Sequence, residues 1–217
     1  MLEIGRCALI YGCDKETLGL ELPNEAYDQM REVLLKTHLE ATQILDVPPP
    51  PLVINPRSKL ACNVIAVTYF KQSQGHLITP PIVFFNPEFI CQGLRALTDP
   101  DSDNARKIRE CFRFNTAHED RHVQQVLQNP QAVDAQLSPD FYPELSEDER
   151  FFARDCEYDA DLFAWDYMHK RRVEGGLDLQ DHQYGIKMAD ATLYKVRTLR
   201  QALAHGNFDE TLKLFAN

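Results

Sequence analysis

The run from Ser102 to Pro130, "SDNARKIRECFRFNTAHEDRHVQQVLQNP", constrains the fold most. Ser102 and Asp103 are helix N-cap candidates. Asn129-Pro130 is a stop signal, because proline disfavours the helical conformation in the residue before it. Between these limits Ile108, Cys111, Phe112, Phe114, Ala117, Val123, Val126 and Leu127 leave a helix little free surface. Such a helix must be packed on several sides. Any polar residue it turns inward needs a partner, since burying an unpaired polar group costs free energy.

The flanking segments supply the packing. Pro23-Asn24 opens a helical pattern to about Leu45, with Tyr27, Met30, Val33, Leu34, Ala41 and Ile44 on one stripe. The prolines of Val47 to Pro51 make a stiff connector. The middle reads as β, with a short strand at 52–55 and a hairpin of "ACNVIAVTYFK" (61–71) and "HLITPPIVFFN" (76–86) joined at Ser73-Gln74-Gly75. Pro80-Pro81 demotes part of the second arm to an edge or a bulge. A short strand is also expected at Cys7–Tyr11. After the central helix come a loop through Pro130, Pro139 and Pro143, and a helix from the capping box Ser146/Glu149 to Gly175-Gly176. A long helix over about Asp181–Ala204 and a short one near Phe208–Phe215 close the chain. The expectation is an α+β fold, one domain over 1–217, with helices flanking a small antiparallel sheet. Its N-terminal helical portion is 1–47, its sheet 52–90, and its helical part 102–217 carries the site.

Composition narrows the function. The net charge of −10 is wrong for binding a phosphate backbone, which needs clustered Lys and Arg. The one dense basic run, Lys170-Arg171-Arg172, suits a helix C-terminus. No apolar run approaches the roughly 20 residues of a membrane span, and "MLEIGRCALIYGCDKE" lacks a signal-peptide core. Neither a nucleic acid nor a membrane is therefore expected as partner. Cys7, Cys13, Cys62, Cys91, Cys111 and Cys156 form no C-x-x-C and sit in apolar surroundings, as free thiols of a cytoplasmic protein do. No G-x-S-x-G and no phosphate-binding glycine loop occurs.

Within the central helix, His118, Glu119 and His122 spell H-E-x-x-H. Residues four apart lie about 40° apart around a helix, so His118 and His122 share a face and can grip one metal ion. Glu119, about 100° away, can reach a water on that metal. Zinc lowers the pKa of such a water to roughly 7, and a carboxylate beside it can take the proton as the water attacks a peptide carbonyl. Zinc needs a third protein ligand. In "DCEYDADLFAWDY" Glu157 and Asp161 again stand one turn apart, and Ala160 and Ala164 allow close helix approach. Asp120 falls nearly opposite His118, where water can solvate it, and Arg121 falls where it can reach a carboxylate or a substrate. Asp159 points away from the metal face.

H-E-x-x-H followed by E-x-x-x-D on a later helix resembles the gluzincin branch of the zincin metallopeptidases. "EYDADLFA" is similar to the E-x-x-A-D-x-x-A run of small bacterial metallopeptidases, and "HEDRHVQQ" to H-E-x-R-H-x-x-Q versions in uncharacterised members. The resemblance covers about residues 60 to 170. It implies a zincin-like fold, one zinc ion per chain, and a protein or peptide substrate. His118, His122 and Glu157 would bind zinc, Glu119 would be the general base, and Asp161 would orient a ligand histidine. The third ligand stays open between Glu157, the first choice, and Asp161. In that family a small sheet precedes the site helix and its edge strand binds extended substrate, and "HLITPPIVFFN" is the candidate edge. Arg121, Tyr158 and His169 are candidate substrate or oxyanion contacts, with Tyr167, His182 and Tyr184 as further oxyanion candidates. Trp165 reads most simply as core.

Two other readings compete. Glu119/His122 as E-x-x-H and Asp166/His169 as D-x-x-H, with Glu25, Glu32 or Glu40, would suit a di-iron carboxylate bundle. A zincin fold kept as a non-catalytic binding module is the second.

Overall fold

The computed structural model describes residues 9–57, 60, 64–138, 140–173 and 176–215, with backbone alone for 176–178. Its elements run β1 (Ile10–Tyr11), α1 (Lys15–Leu18), α2 (Asn24–Ile44), β2 (Leu52–Ile54), β3 (Ala66–Ser73) and β4 (His76–Phe85). Then come α3 (Pro87–Ala96), α4 (Asp103–Gln128), α5 (Pro130–Leu137), α6 (Glu147–Ala153), α7 (Asp155–Lys170), α8 (Gly176–His205) and α9 (Phe208–Lys213). This is an α+β architecture built around α4, which packs against α2, α3, α5, α7, α8 and strands β3 and β4.

The sheet is mixed, which corrects the antiparallel expectation. Its order is β1-β2-β4-β3, with β1–β2 and β2–β4 parallel and only β3–β4 antiparallel. β2 and β4 can be parallel because the hairpin arm β3 is laid outside β4. The edge expectation is corrected in part: Val83–Phe85 of "HLITPPIVFFN" lie inside the sheet between β2 and β3, residues 76–82 pair with β3 alone, and β3 is an edge strand. Gln74 and Gly75 turn the hairpin at positive φ of 52° and 80°, the conformation of a two-residue turn matching strand twist. Opposite the proline pair the β3–β4 register shifts on both sides of Lys71. The expected irregularity is there, as two prolines cannot donate ladder hydrogen bonds. Residues 7–8 and 61–63 of the expected strands lie outside the described residues, as do Cys7 and Cys62. Cys13, Cys91, Cys111 and Cys156 are free thiols.

Prolines account for two helices where loop or strand was expected. Pro87 and Pro130 occupy the first positions of α3 and α5, where a missing N–H costs nothing. The Asn86 and Asn129 side chains cap those helices by accepting from Glu88 N and Ala132 N. The helix expected from Ser146 onward is interrupted. Its capping box forms as expected, but Arg154 adopts an extended conformation (φ −67°, ψ 123°) between α6 and α7. Neither Gly nor Pro marks that break. It is held by side chains from elsewhere: Arg200 donates to the Phe152 and Arg154 carbonyls, and Gln136 Oε1 accepts from Cys156 N.

One apolar core joins the sheet to α2, α3 and α4 through Leu34, Leu52, Val83, Phe85, Ile90 and Phe112. A second joins α4, α7 and α8 through Phe114, Ala117, Ala164, Met168 and Ala189. The fully buried alanines permit close helix approach. Ile44, expected on the core stripe of α2, is exposed. Trp165 is only half-buried, and its Nε1 donates to Asp190 on α8 at 2.7 Å. Arg171 of the basic run turns inward and donates to buried Glu110.

α8 approaches α4 at Gly185. A β-carbon there would stand 2.0 Å from Glu110 Oε2 and 2.5 Å from Met168 Cε. The Glu110 carboxylate is buried and held by Arg113 and Arg171, so it has no room to yield. Gly185→Ala is expected to destabilise the fold by about 1–3 kcal/mol, read as a lower thermal midpoint.

Candidate metal centre

α4 and α7 lie antiparallel, and their contact face carries the site. His118, Glu119 and His122 come from α4, and Glu157 and Asp161 from the first two turns of α7. β3 passes above them, α8 walls one side, and α5 and α6 close an end. The resulting cleft, about 1000 Å³, is lined by all five of these residues and by apolar side chains such as Phe70, Phe114, Val133 and Phe151.

The hydrogen bonds fix which imidazole nitrogens are free. His118 Nδ1 lies 2.9 Å from Asp161 Oδ1, a carboxylate that can only accept, so Nδ1 carries the hydrogen. His122 Nδ1 lies 2.8 Å from Gln125 Oε1. That amide is oriented by its other end, which donates to the Cys156 carbonyl and to Asp159. In neutral rings both Nε2 atoms are then bare lone pairs. They face each other at 3.0 Å, and Glu157 Oε2 stands 3.3 Å from one and 3.4 Å from the other. In that neutral state three ligand atoms converge with no hydrogen between them.

Such a trio repels itself unless something positive lies at its centre. Burial alone would lower the pKa of His118, yet hydrogen bonds to Asp161 and Glu157 and the charge of Glu119 raise it well above the ordinary imidazole value. His122 behaves alike: burial lowers its pKa, and the Glu157 charge overrides burial. Burial would raise the pKa of Glu157, but the two histidines hold it well below the carboxylate range. Metal chemistry fits the same facts. Nitrogen and oxygen ligands of tetrahedral zinc lie about 2.0–2.2 Å from the ion, hence about 3.3 Å from one another. His118, His122 and Glu157 match that spacing, with ligand atoms all within 4.8 Å of one another. Asp161 bonds the nitrogen of His118 that faces away from the trio, where a carboxylate would orient a metal-bound imidazole.

Glu119 is buried beside this group, and its carboxylate meets a residue that motif reading missed. Thr68 on β3 places its hydroxyl 2.8 Å from Glu119 Oε2 and 3.0 Å from the Glu119 carbonyl. Nothing local to Thr68 marks it, since it is one β-branched residue in a β-rich run.

Asp120 departs from expectation. It is fully buried, and its Oδ1 lies 2.6 Å from His38 Nδ1 on α2, while His38 Nε2 donates to the Pro50 carbonyl at 2.8 Å. Burial lifts Asp120 to about 6, against the pull of His38. The back of α4 is covered by α2, so the side opposite the metal face is interior. Arg121 reaches a carboxylate, the bidentate partner Asp159 at 2.7 and 3.1 Å, and so is occupied on the rim.

None of the proposed oxyanion aromatics lines the cleft. Tyr158 accepts from Arg197, Tyr167 donates to Glu40, and His169 bonds Asp190 of α8. His182 and Tyr184 lie before the stretch of α8 that reaches the cleft. Besides His118, Glu119, His122, Glu157 and Asp161, the polar side chains lining the cleft include Thr68, Asn115, Arg154, Thr192 and Lys195, with the acids Glu147 and Asp148. Among the described residues no second metal group is brought together, and Asp166 pairs with Lys170 and His169 with Asp190.

Comparison with known proteins finds no matching family model, no matching curated protein and no matching solved structure. No helix among the described residues is long and apolar enough to cross a membrane.

Proposed function

We propose that this chain is a zinc-dependent metallopeptidase of zincin type, acting on a protein or peptide. The observation that carries the reading is the convergence of His118 Nε2, His122 Nε2 and Glu157 Oε2, with both Nδ1 hydrogens committed elsewhere. Two imidazoles and one carboxylate suit zinc better than calcium or magnesium, which prefer oxygen ligands. Zinc held there would supply Lewis acidity, lowering the pKa of water to roughly 7. Asp161 keeps the hydrogen of His118 on Nδ1 and so leaves Nε2 free. Gln125 does the same for His122. Glu119 is placed to accept a proton from water and return it to the leaving amine. β3 is an edge strand of the sheet, and its residues Ala66 and Thr68 line the cleft beside the metal group. An extended peptide can therefore pair with that edge while its carbonyl meets the site.

Glu119→Gln tests the chemistry apart from the metal. Zinc-loaded protein is incubated with a mixed peptide library made from a whole proteome, and the new termini are mapped. The wild type is expected to cleave, while Glu119→Gln keeps its zinc and cuts about 10²–10⁴-fold more slowly. Equal cleavage by the two proteins would remove Glu119 from the reaction. An Asp161→Asn variant is expected to bind zinc about 10- to 100-fold more weakly, measured by competition with a chromophoric chelator.

A further inference from the structure

We infer that Thr68 is the positioning residue of the general base, fixing the Glu119 carboxylate between the edge strand and the metal group. The inference rests on the metallopeptidase reading and deepens it. A glutamate side chain has three rotatable bonds, and burial at the cleft wall does not by itself fix where the Glu119 carboxylate points. Thr68 removes that freedom from outside α4. Its Oγ1 lies 2.8 Å from Glu119 Oε2, and both ends are braced: Thr68 pairs across the hairpin with Val83, and Glu119 sits in the middle of α4. Threonine is β-branched and stiff about χ1, so its hydroxyl is aimed by the strand. Hydrogen bonds to a charged acceptor are the stronger kind.

The hydroxyl carries one hydrogen and faces two acceptors, Oε2 and the Glu119 carbonyl at 3.0 Å. While the carboxylate is charged, Thr68 donates to Oε2. When Glu119 holds the abstracted proton on Oε2, that O–H can donate to Oγ1, and the threonine hydrogen turns to the carbonyl. Both forms of the base stay hydrogen-bonded with no heavy atom displaced. The contact also joins the strand that would receive the peptide to the group that acts on it.

The test compares Thr68→Val, which keeps the shape and loses the hydroxyl, with Thr68→Ser, which keeps the hydroxyl. Zinc content, thermal midpoint, kcat and KM are measured on the full chain with one peptide chosen from the wild-type cleavage map. The expected result is one zinc in both variants, KM little changed, and kcat about 10- to 100-fold lower in Thr68→Val. Thr68→Ser should stay close to wild type. If Thr68→Val does not fold, Thr68→Ala reads the same split. Wild-type kcat in Thr68→Val, equal losses in the Val and Ser variants, or a loss that falls on KM would each overturn the inference. A wild type that cleaves leaves the metallopeptidase reading standing in those cases. A zinc-loaded wild type that cleaves no peptide overturns both.

Discussion

Glu157→Ala is expected to lose its metal and, with it, all cleavage. Glu157 is the one anionic member of the converging trio, and the only one from α7. His118 and His122 are one turn apart on α4 and could still hold an ion between them, but with two ligands and no charge to balance it. The loss should therefore go well beyond the about 10- to 100-fold expected for an orienting residue such as Asp161. The variant should stay folded, because Glu157 is half-buried at the cleft and replaces no core volume. The check is equilibrium dialysis against zinc, with circular dichroism showing an intact fold. If Glu157→Ala binds zinc as tightly as the wild type, the third ligand is another group, and Asp161 would be examined next. Asp161→Ala losing more affinity than Glu157→Ala would reverse the two roles.

Glu110→Ala is expected to be the most destabilising change away from the site. Glu110 is fully buried on α4, and its Oε1 accepts from Arg113 and, at 3.0 Å, from Arg171 at the end of α7. Beside it Arg109 makes two bonds to Asp181 of α8, at 2.5 and 3.0 Å. Burial raises the Glu110 pKa, and the Arg113 and Arg171 charges oppose that rise. This cluster closes the end of the α4–α7–α8 unit. Removing one partner of a buried ion pair typically costs about 3–5 kcal/mol, because the other charge stays desolvated. For a chain of this size that is a fall in thermal midpoint of about 6–20 °C. Differential scanning calorimetry of wild type and Glu110→Ala measures it. A midpoint within a degree or two of wild type would mean that the guanidinium groups are satisfied without Glu110.

The sequence made the periodic features legible and hid those that depend on distant partners. The limits of α2 and α4 followed from a Pro-Asn start and an Asn-Pro stop, and the hairpin turn from Gln74-Gly75. His118 and His122 were legible as a pair because helical spacing alone puts them on one face, and Glu157 with Asp161 for the same reason. Strand order was not legible, since whether the end of β4 lies inside the sheet depends on pairings with β2 just over thirty residues away. The break at Arg154 was hidden because Arg200 and Gln136, which hold it, are far off in the chain. Asp120 was misjudged because the helical wheel shows direction but not cover. Thr68 was missed because a hydroxyl becomes part of a site only when folding sets it against a carboxylate.

The central claim is that His118, His122 and Glu157 hold one zinc ion, and elemental analysis of the purified protein tests it most directly. Protein purified without chelators should carry one zinc per chain, and chelated protein should regain one on titration, with a higher thermal midpoint. Protein that neither carries zinc nor binds or is stabilised by added zinc would contradict the account. Stoichiometric iron in its place would also contradict it, since two histidines and one carboxylate are then the ligand set of oxygen chemistry.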